Sequence, residues 1–469
     1  MIELHARSAF SFLEGAAVPE EFAVWCAKYE MPAMALLDRN GVYGAPRFHM
    51  AMKKAGLRAH IGSEITCTNG RTYPLLAESR EGYQNLCRLV TRMKMRAKKG
   101  EGAAALEEIA EFSRGLVCLT AHPEERLVEI FGRQNLYAEL QRHCLREEEA
   151  HNQATLERAR GLKIPVVATN SPAYAIPVQR ELLDVFTCIR NKVTLATAGR
   201  LLEQNNERHI KTPAAMARLF ADLPEAIANT HEISARLKFT LADLGYEFPH
   251  YPVPDGETEM SFLRKRVEEG ARGRYRPYGE REQKQVEHEL ALIEKLKLAG
   301  YFLIVWDIVR YCKEHDILAQ GRGSAANSAV CYVLGITAVD PVRMELLFER
   351  FLSEQRGEWP DIDIDLPSGD KREQGLQYVY QRFGQLGAAM TANVITYRGR
   401  SAAREVGKAL GFEITALEKL SSLVRTWEWK DPKETTERQF RDAGLDLNHP
   451  RVRKFFDVYQ MALDLPRHL

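Results

Sequence analysis

Three acids, Asp361, Asp363 and Asp365, alternate with Ile362 and Ile364 in the run Trp359-Pro360-Asp361-Ile362-Asp363-Ile364-Asp365. Residues two apart in a strand share a face, so the pattern predicts three carboxylates on one side and two isoleucines turned to the core. Carboxylates at that spacing repel one another, and a divalent cation removes the conflict. Two-metal phosphoryl transfer uses such a cluster to hold magnesium and activate a hydroxyl. The plain alternative is an acidic edge strand facing water. Earlier in the chain stands Gly321-Arg322-Gly323-Ser324-Ala325-Ala326-Asn327-Ser328. Gly321 and Gly323 permit unusual dihedrals and close approach of a ligand. Ser324 is expected to cap a helix running through Ala329 to Leu334, whose free N–H groups and dipole favour phosphate. Arg322 adds a forked permanent cation. The element lacks the lysine of a Walker A loop, so alone it also fits a tight turn with an ordinary cap. Together the two elements point to nucleotidyl transfer. Arg350, in the intervening Phe348-Glu349-Arg350-Phe351-Leu352 segment, joins Arg322, Gly323 and Ser324 as a nucleotide-binding candidate.

These residues need a scaffold. A chain of 469 residues predicts about three domains. Residues 1 to about 190 alternate strand-like runs (Ala33 to Leu37, Leu116 to Thr120, Ile164 to Thr169) with amphipathic stretches such as Pro19 to Tyr29. That alternation implies a parallel sheet or barrel with helices outside. Phe248-Pro249-His250-Tyr251-Pro252-Val253-Pro254-Asp255-Gly256 is the best linker candidate, since prolines and a glycine punctuate it. Amphipathic helices are expected at about 281–298 and 302–314, separated at Gly300. The last 75 residues read as helical and highly charged.

The formal net charge is +1, so nucleic-acid binding is not announced globally and would depend on local patches. Eight scattered cysteines form no C-x-x-C pair, which argues against a zinc ribbon or a disulfide framework and suits a reducing, cytoplasmic compartment. No apolar run reaches the ~18 residues that a membrane-spanning helix needs. Arg400, Arg404 and Lys408 recur every fourth residue, preceded by Arg398, and would share one helix face suited to phosphates. A solvated face partly neutralised by Glu405 is the alternative. Arg88, Arg92, Lys94, Arg96, Lys98 and Lys99 read more simply as a charged helix end leading into a loop.

The stretch from Gln320 to Leu366, followed by Ala388 to Gly411, resembles the palm and thumb of bacterial C-family DNA polymerases, above all the error-prone, ImuC-type paralogue of the DNA polymerase III alpha subunit. The start, Glu3 to Phe22, resembles the same family's PHP domain. The resemblance implies a multidomain α/β chain. A PHP-like distorted (β/α) barrel over residues 1–225 is followed by the first part of an α+β nucleotidyltransferase palm over 226–390 and a helical thumb over 391–469. It implies Asp361 and Asp363 as catalytic, magnesium-holding residues, with Asp365 not catalytic. Gly323 and Ser324 would contact the incoming triphosphate. A third catalytic aspartate, the fingers and further modules would lie beyond this portion, so the chain alone would not turn over. Implied partners are primer-template DNA, deoxynucleoside triphosphates, translesion accessory proteins and a sliding clamp. The alternatives are the replicative alpha subunit and a catalytically silent DNA-binding fragment.

The family's PHP metal pattern is degraded here. His-x-His reads His5-Ala6-Arg7, Thr-Asp-His reads Leu37-Asp38-Arg39, and the late Asp-x-His pair reads Ser171-Pro172-Ala173. His5, Glu14, Glu64 and His122 remain at ligand-like positions. Arg7 and Arg39 would put cations where metals sit and pair with Glu14, Glu64 or Asp38. No metal and no phosphoesterase activity is expected in this domain.

Overall fold

The computed structural model describes residues 1–244, 250–353, 360–424 and 432–468. Phe248, Pro249 and Trp359 lie outside the described residues. The chain divides into two compact units, residues 1–244 with 392–469, and residues 245–391.

The first unit is built on a seven-stranded sheet in sequence order: β1 (Glu3–Ala6), β2 (Ala33–Arg39), β3 (Arg58–Thr66), β4 (Thr72–Ala77), β5 (Leu116–Thr120), β6 (Leu136–Leu140) and β7 (Val166–Ala168). β1–β2–β3 and β5–β6–β7 are parallel, while β4 runs antiparallel to both neighbours. The sheet is therefore mixed rather than wholly parallel. Alternate residues feed two cores, as a period of two requires. Met34 and Leu36 face Phe22, Phe48 and Leu86 under the outer helices. Ala35 and Leu37 face Leu4, Leu119 and Val167 on the inner face.

The two ends of the sheet are tied by side chain and loop. Glu3 accepts from the His5 N–H at 2.9 Å and the Asn170 N–H at 2.8 Å, and the Arg7 N–H donates to Pro172 O at 2.9 Å. These bonds curl the sheet into a half-barrel. Ile233 and Leu237, at the end of the helix Pro224–Arg236, cover the inner face. The expected boundary at residue 226 therefore moves to 244, because this helix belongs to the barrel core.

Residues 392–469 share a core with residues of the first unit. Tyr397, Val406 and Phe455 pack with Ala9, Leu182 and Phe186, and the Phe186 and Tyr397 rings stack at 5.7 Å. Among its described residues this segment is helical, with one short ladder between β10 (Ile395–Thr396) and β11 (Pro466–His468). The expected separate thumb is here part of one compact unit with the PHP-like sheet.

The second unit is mainly helical. Glu259–Arg274, Glu280–Lys295 and Ala299–Glu314 surround Leu263, Leu290, Phe302 and Phe348. Gly300 lies inside the third of these helices, not between two helices as expected. Tyr251 in the expected linker is buried and donates its hydroxyl to Asp307 at 3.2 Å, so that stretch is anchored. The strands β8 (Gln320–Gly321) and β9 (Ile364–Asp365) form an antiparallel pair.

Candidate active site and the filled barrel mouth

The ladder of β8 and β9 brings the glycine-serine element and the acidic run together. Gln320 lies opposite Asp365 and Gly321 opposite Ile364, and the Arg322 N–H donates to Asp363 O at 2.9 Å. Asp361, Asp363 and Asp365 are exposed while Ile362 and Ile364 are half-buried against the helical core. The three acids do not behave alike. Asp365 accepts an ion pair from Arg322 Nε at 2.5 Å. Between the other two, the Ile362 N–H donates to the Tyr301 hydroxyl at 3.0 Å. Burial first, then the charges of Asp361 and Asp363, push the Tyr301 phenol up to about 12. Asp361 and Asp363 have no ion-pair partner among the described residues. They are hard oxygen donors left uncommitted, a donor set that fits magnesium.

Gly321 is required by packing. A Cβ there would stand 2.8 Å from Ile336 O. Gly323 instead needs its positive φ of 63°, which side-chain-bearing residues rarely adopt. Gly323, Ser324, Asn327 and Arg350 line a cavity of about 450 Å³. Three of the four nucleotide candidates, Gly323, Ser324 and Arg350, are thus gathered with Asn327, which the sequence reading did not single out, whereas Arg322 is not among the lining residues and pairs with Asp365.

The helix expected to bind phosphate does not offer its N-terminus. The cap of Ala329–Val333 is Ser328, not Ser324, and its hydroxyl accepts from the Cys331 N–H. The Ala329 and Val330 N–H groups already donate to the buried Glu289 carboxylate, at 2.8 and 2.9 Å, and Ser328 Oγ donates to it at 2.7 Å. Burial pushes the Glu289 carboxyl up in spite of these bonds. Glu289 could have been noticed, since it shares the apolar stripe of Val286, Leu290 and Ile293.

At the barrel mouth, Arg7 and Arg39 both pair with Glu64, Arg39 Nη2 at 3.0 Å. Glu14 faces three guanidiniums, those of Arg39 at 2.9 Å, Arg190 at 3.1 Å and Arg7 at 3.7 Å. His5 Nδ1 lies 2.6 Å from Glu139 Oε1 and Nε2 lies 3.6 Å from Glu64 Oε2. Burial alone would lower the His5 pKa, but Glu139 and Glu64 raise it to about 9. An imidazolium and two arginines occupy the carboxylates here. A protonated histidine has no lone pair for a metal. Of the three expected acids the arginines pair with Glu14 and Glu64, while Asp38 accepts from the Ser8 N–H and from both the Ser8 and Ser11 hydroxyls. Ser171 is buried and its carbonyl and hydroxyl accept from Arg208. Ala173 is buried, with its carbonyl bonded to the Ala16 N–H. His122 is exposed and edge-on to His151 at 4.8 Å. Glu139 and Arg190 were missed by the sequence reading. No group of three or more potential metal ligands occurs among the described residues.

The helix Gly399–Ala409 buries Ala402, Ala403 and Val406 and exposes Arg400, Arg404 and Lys408. Glu405 does not neutralise this row. It pairs with Arg467 and accepts from the Tyr397 hydroxyl. Arg398 is less available, being paired with Asp464. In the earlier basic run, Arg92 and Arg96 are paired with Glu111 and Glu108.

Residues 3–154 match the PHP domain, and residues 261–469 match the bacterial DNA polymerase III alpha NTPase domain. The chain is thus similar to PHP domains in its first part and to bacterial DNA polymerase III alpha in its last part. Over its whole length it is 41% identical to an error-prone DNA polymerase of Dechloromonas aromatica, 41% to error-prone DNA polymerase 1 of Rhizobium meliloti and 38% to an error-prone DNA polymerase of Anaeromyxobacter sp.. Each alignment covers 100% of this chain but 46%, 43% and 49% of the relative. The chain thus spans about half the length of the curated relatives it matches. An amidohydrolase from Chromobacterium violaceum aligns with 37% of this chain and 87% of its own, at 16% identity and a TM-score of 0.26. No helix among the described residues is long and apolar enough to cross a membrane.

Proposed function

We propose that this chain is part of an error-prone, template-directed DNA polymerase that extends a primer 3′ end with deoxynucleotides. The observation that supports the proposal is the ladder, with the Arg322 N–H to Asp363 O bond, that joins the glycine-serine turn to the acidic run. Magnesium, held by Asp361 and Asp363, would lower the pKa of the attacking hydroxyl and neutralise charge on the phosphates. The chain's own residues supply position. The cavity of Gly323, Ser324, Asn327 and Arg350 receives the triphosphate. Tyr301 fixes the backbone between the two aspartates. Arg400, Arg404 and Lys408 contact template or primer phosphates without regard to sequence.

Residues 1–244 are the proposed PHP-like region, 245–391 the palm region and 392–469 the thumb region. The PHP-like mouth is proposed to be metal-free, with arginines as internal counterions. Translesion accessory proteins and a sliding clamp are the proposed partners, primer-template DNA and deoxynucleotides the substrates, and the cytoplasm the compartment.

The test is primer extension by a polypeptide extended to the length of its relatives, wild type beside Asp361→Ala and Asp363→Ala. Extension by the wild type alone supports the proposal. If the aspartate variants extend as well as the wild type, or neither does, the acids are structural and the reading fails.

A further inference from the structure

A second cavity, of about 840 Å³, opens beside the arginine-filled barrel mouth. It falls within the range of small-molecule sites. Five cationic side chains line it, Arg39, Arg190, Lys94, Lys98 and Lys99, against the two carboxylates of Glu14 and Glu101. Glu14 is already shared among three guanidiniums, so it cannot balance Lys94 and Lys98 as well.

Lys94 is the most informative of the five. Its side chain is half-buried, and the bond it makes is to the Tyr43 hydroxyl rather than to a carboxylate. The ammonium sits 4.5 Å from the centre of the Tyr43 ring. Burial lowers its pKa to about 8, and no carboxylate opposes that shift. A half-buried ammonium without a counter-charge is unfavourable, and an anion in the cavity would relieve it. The wall also carries two aromatic rings, Phe12 and Tyr43, which meet edge to face at 5.6 Å. Phe12 holds a left-handed φ of 44° at this rim. Such conformations persist where the surroundings enforce them.

We propose that this cavity is a metal-free binding site for a nucleotide, with Lys94, Lys98 and Arg190 on the phosphate and Phe12 and Tyr43 against the base. The site is separate from the cavity of Gly323 and Ser324, and the proposal does not depend on polymerase activity. The ligand is either a free nucleotide or the terminal nucleotide of a single strand.

The experiment is calorimetric titration of the 469-residue chain in EDTA, which silences magnesium-dependent binding at the aspartates. The probes are deoxyadenosine, deoxyadenosine monophosphate and octathymidylate. The monophosphate is expected to bind and the nucleoside not. Lys94→Gln should weaken binding roughly tenfold, as loss of one charge-assisted hydrogen bond does, and Lys94→Arg should recover most of it. Lys98→Gln, at an exposed position, should weaken binding without affecting the fold. Competition by octathymidylate identifies a strand end as the ligand, and its absence identifies a free nucleotide. The proposal is overturned if the wild type shows no phosphate-dependent binding, or if Lys94→Gln and Lys98→Gln bind as the wild type does.

Discussion

Arg322 grips the acidic run twice. Its backbone N–H donates to the Asp363 carbonyl at 2.9 Å, and its guanidinium pairs with the Asp365 carboxylate at 2.5 Å. The backbone bond makes the glycine-serine turn and the acidic run one body. The side-chain pair separates Asp365 from its neighbours, since that carboxylate already has a cation. Asp365→Asn in a full-length polymerase should therefore keep extension within about tenfold of wild type, whereas Asp361→Ala and Asp363→Ala should abolish it. Both pair members are more than half exposed, so melting temperature should hardly move. Steady-state primer extension at saturating magnesium checks this. Loss of activity in Asp365→Asn equal to that of the other two would put all three carboxylates in one role.

The buried end of the barrel obeys a different balance. Arg7 and Glu64 are both nearly inaccessible to solvent. Removing one member of such a pair leaves the other buried with less compensation. Arg7→Met should destabilise the chain by about 3–5 kcal/mol, visible as a lower urea midpoint. Arg39→Met, at a more exposed position, should cost clearly less. Equal midpoints for Arg7→Met and wild type would show that the arginine network does not hold the barrel mouth.

The parts of this site visible in the sequence were those set by local spacing. The alternation of acid and isoleucine from Asp361 to Asp365 gave the exposed and half-buried faces, and the four-residue period of Arg400, Arg404 and Lys408 gave one exposed helix face. Arg7 and Arg39 as counterions to Glu64 and Glu14 were also legible, because a permanent cation at a ligand position needs an acid nearby. What depended on long-range pairing was not legible. Glu289 reaches Ser328 and Ala329 across a helix–helix contact, and nothing local showed that it fills the N-terminus expected for phosphate. Glu139 and Arg190 join the barrel mouth only once the sheet curls. The helix Pro224–Arg236 was placed in the wrong domain because its apolar face alone does not say which core it covers.

His5 makes the first unit sensitive to alkaline pH. Its folded pKa of about 9 lies above the ordinary histidine value of 6.5, because Glu139 and Glu64 outweigh burial. The stabilisation is complete below about pH 6.5, where the unfolded chain also carries the proton. It declines as pH rises and is lost through about pH 9, a span worth about 3 kcal/mol. Chemical denaturation between pH 6 and 9.5 should show this fall, and His5→Gln should remove most of it. A wild-type profile flat over that range would mean that His5 is neutral in the folded chain.

The exposed row on the helix Gly399–Ala409 makes a prediction about salt rather than about the fold. Arg400 and Arg404 have no ion-pair partner among the described residues, and Glu405 is held elsewhere by Arg467 and Tyr397. Each arginine that neutralises a DNA phosphate releases counterions and steepens the fall of affinity with salt. Arg400→Ala and Arg404→Ala should each reduce the slope of log affinity against log salt by roughly 0.9 on duplex DNA, equally for unrelated sequences. Arg398→Ala should do less, because Arg398 must first leave Asp464. Melting temperatures should stay near wild type, since the buried side of the helix is alanine and valine. Fluorescence anisotropy on two unrelated duplexes from 50 to about 200 mM salt separates the outcomes. An unchanged slope in both single variants would make this row a solvated surface and move the DNA path elsewhere on the molecule.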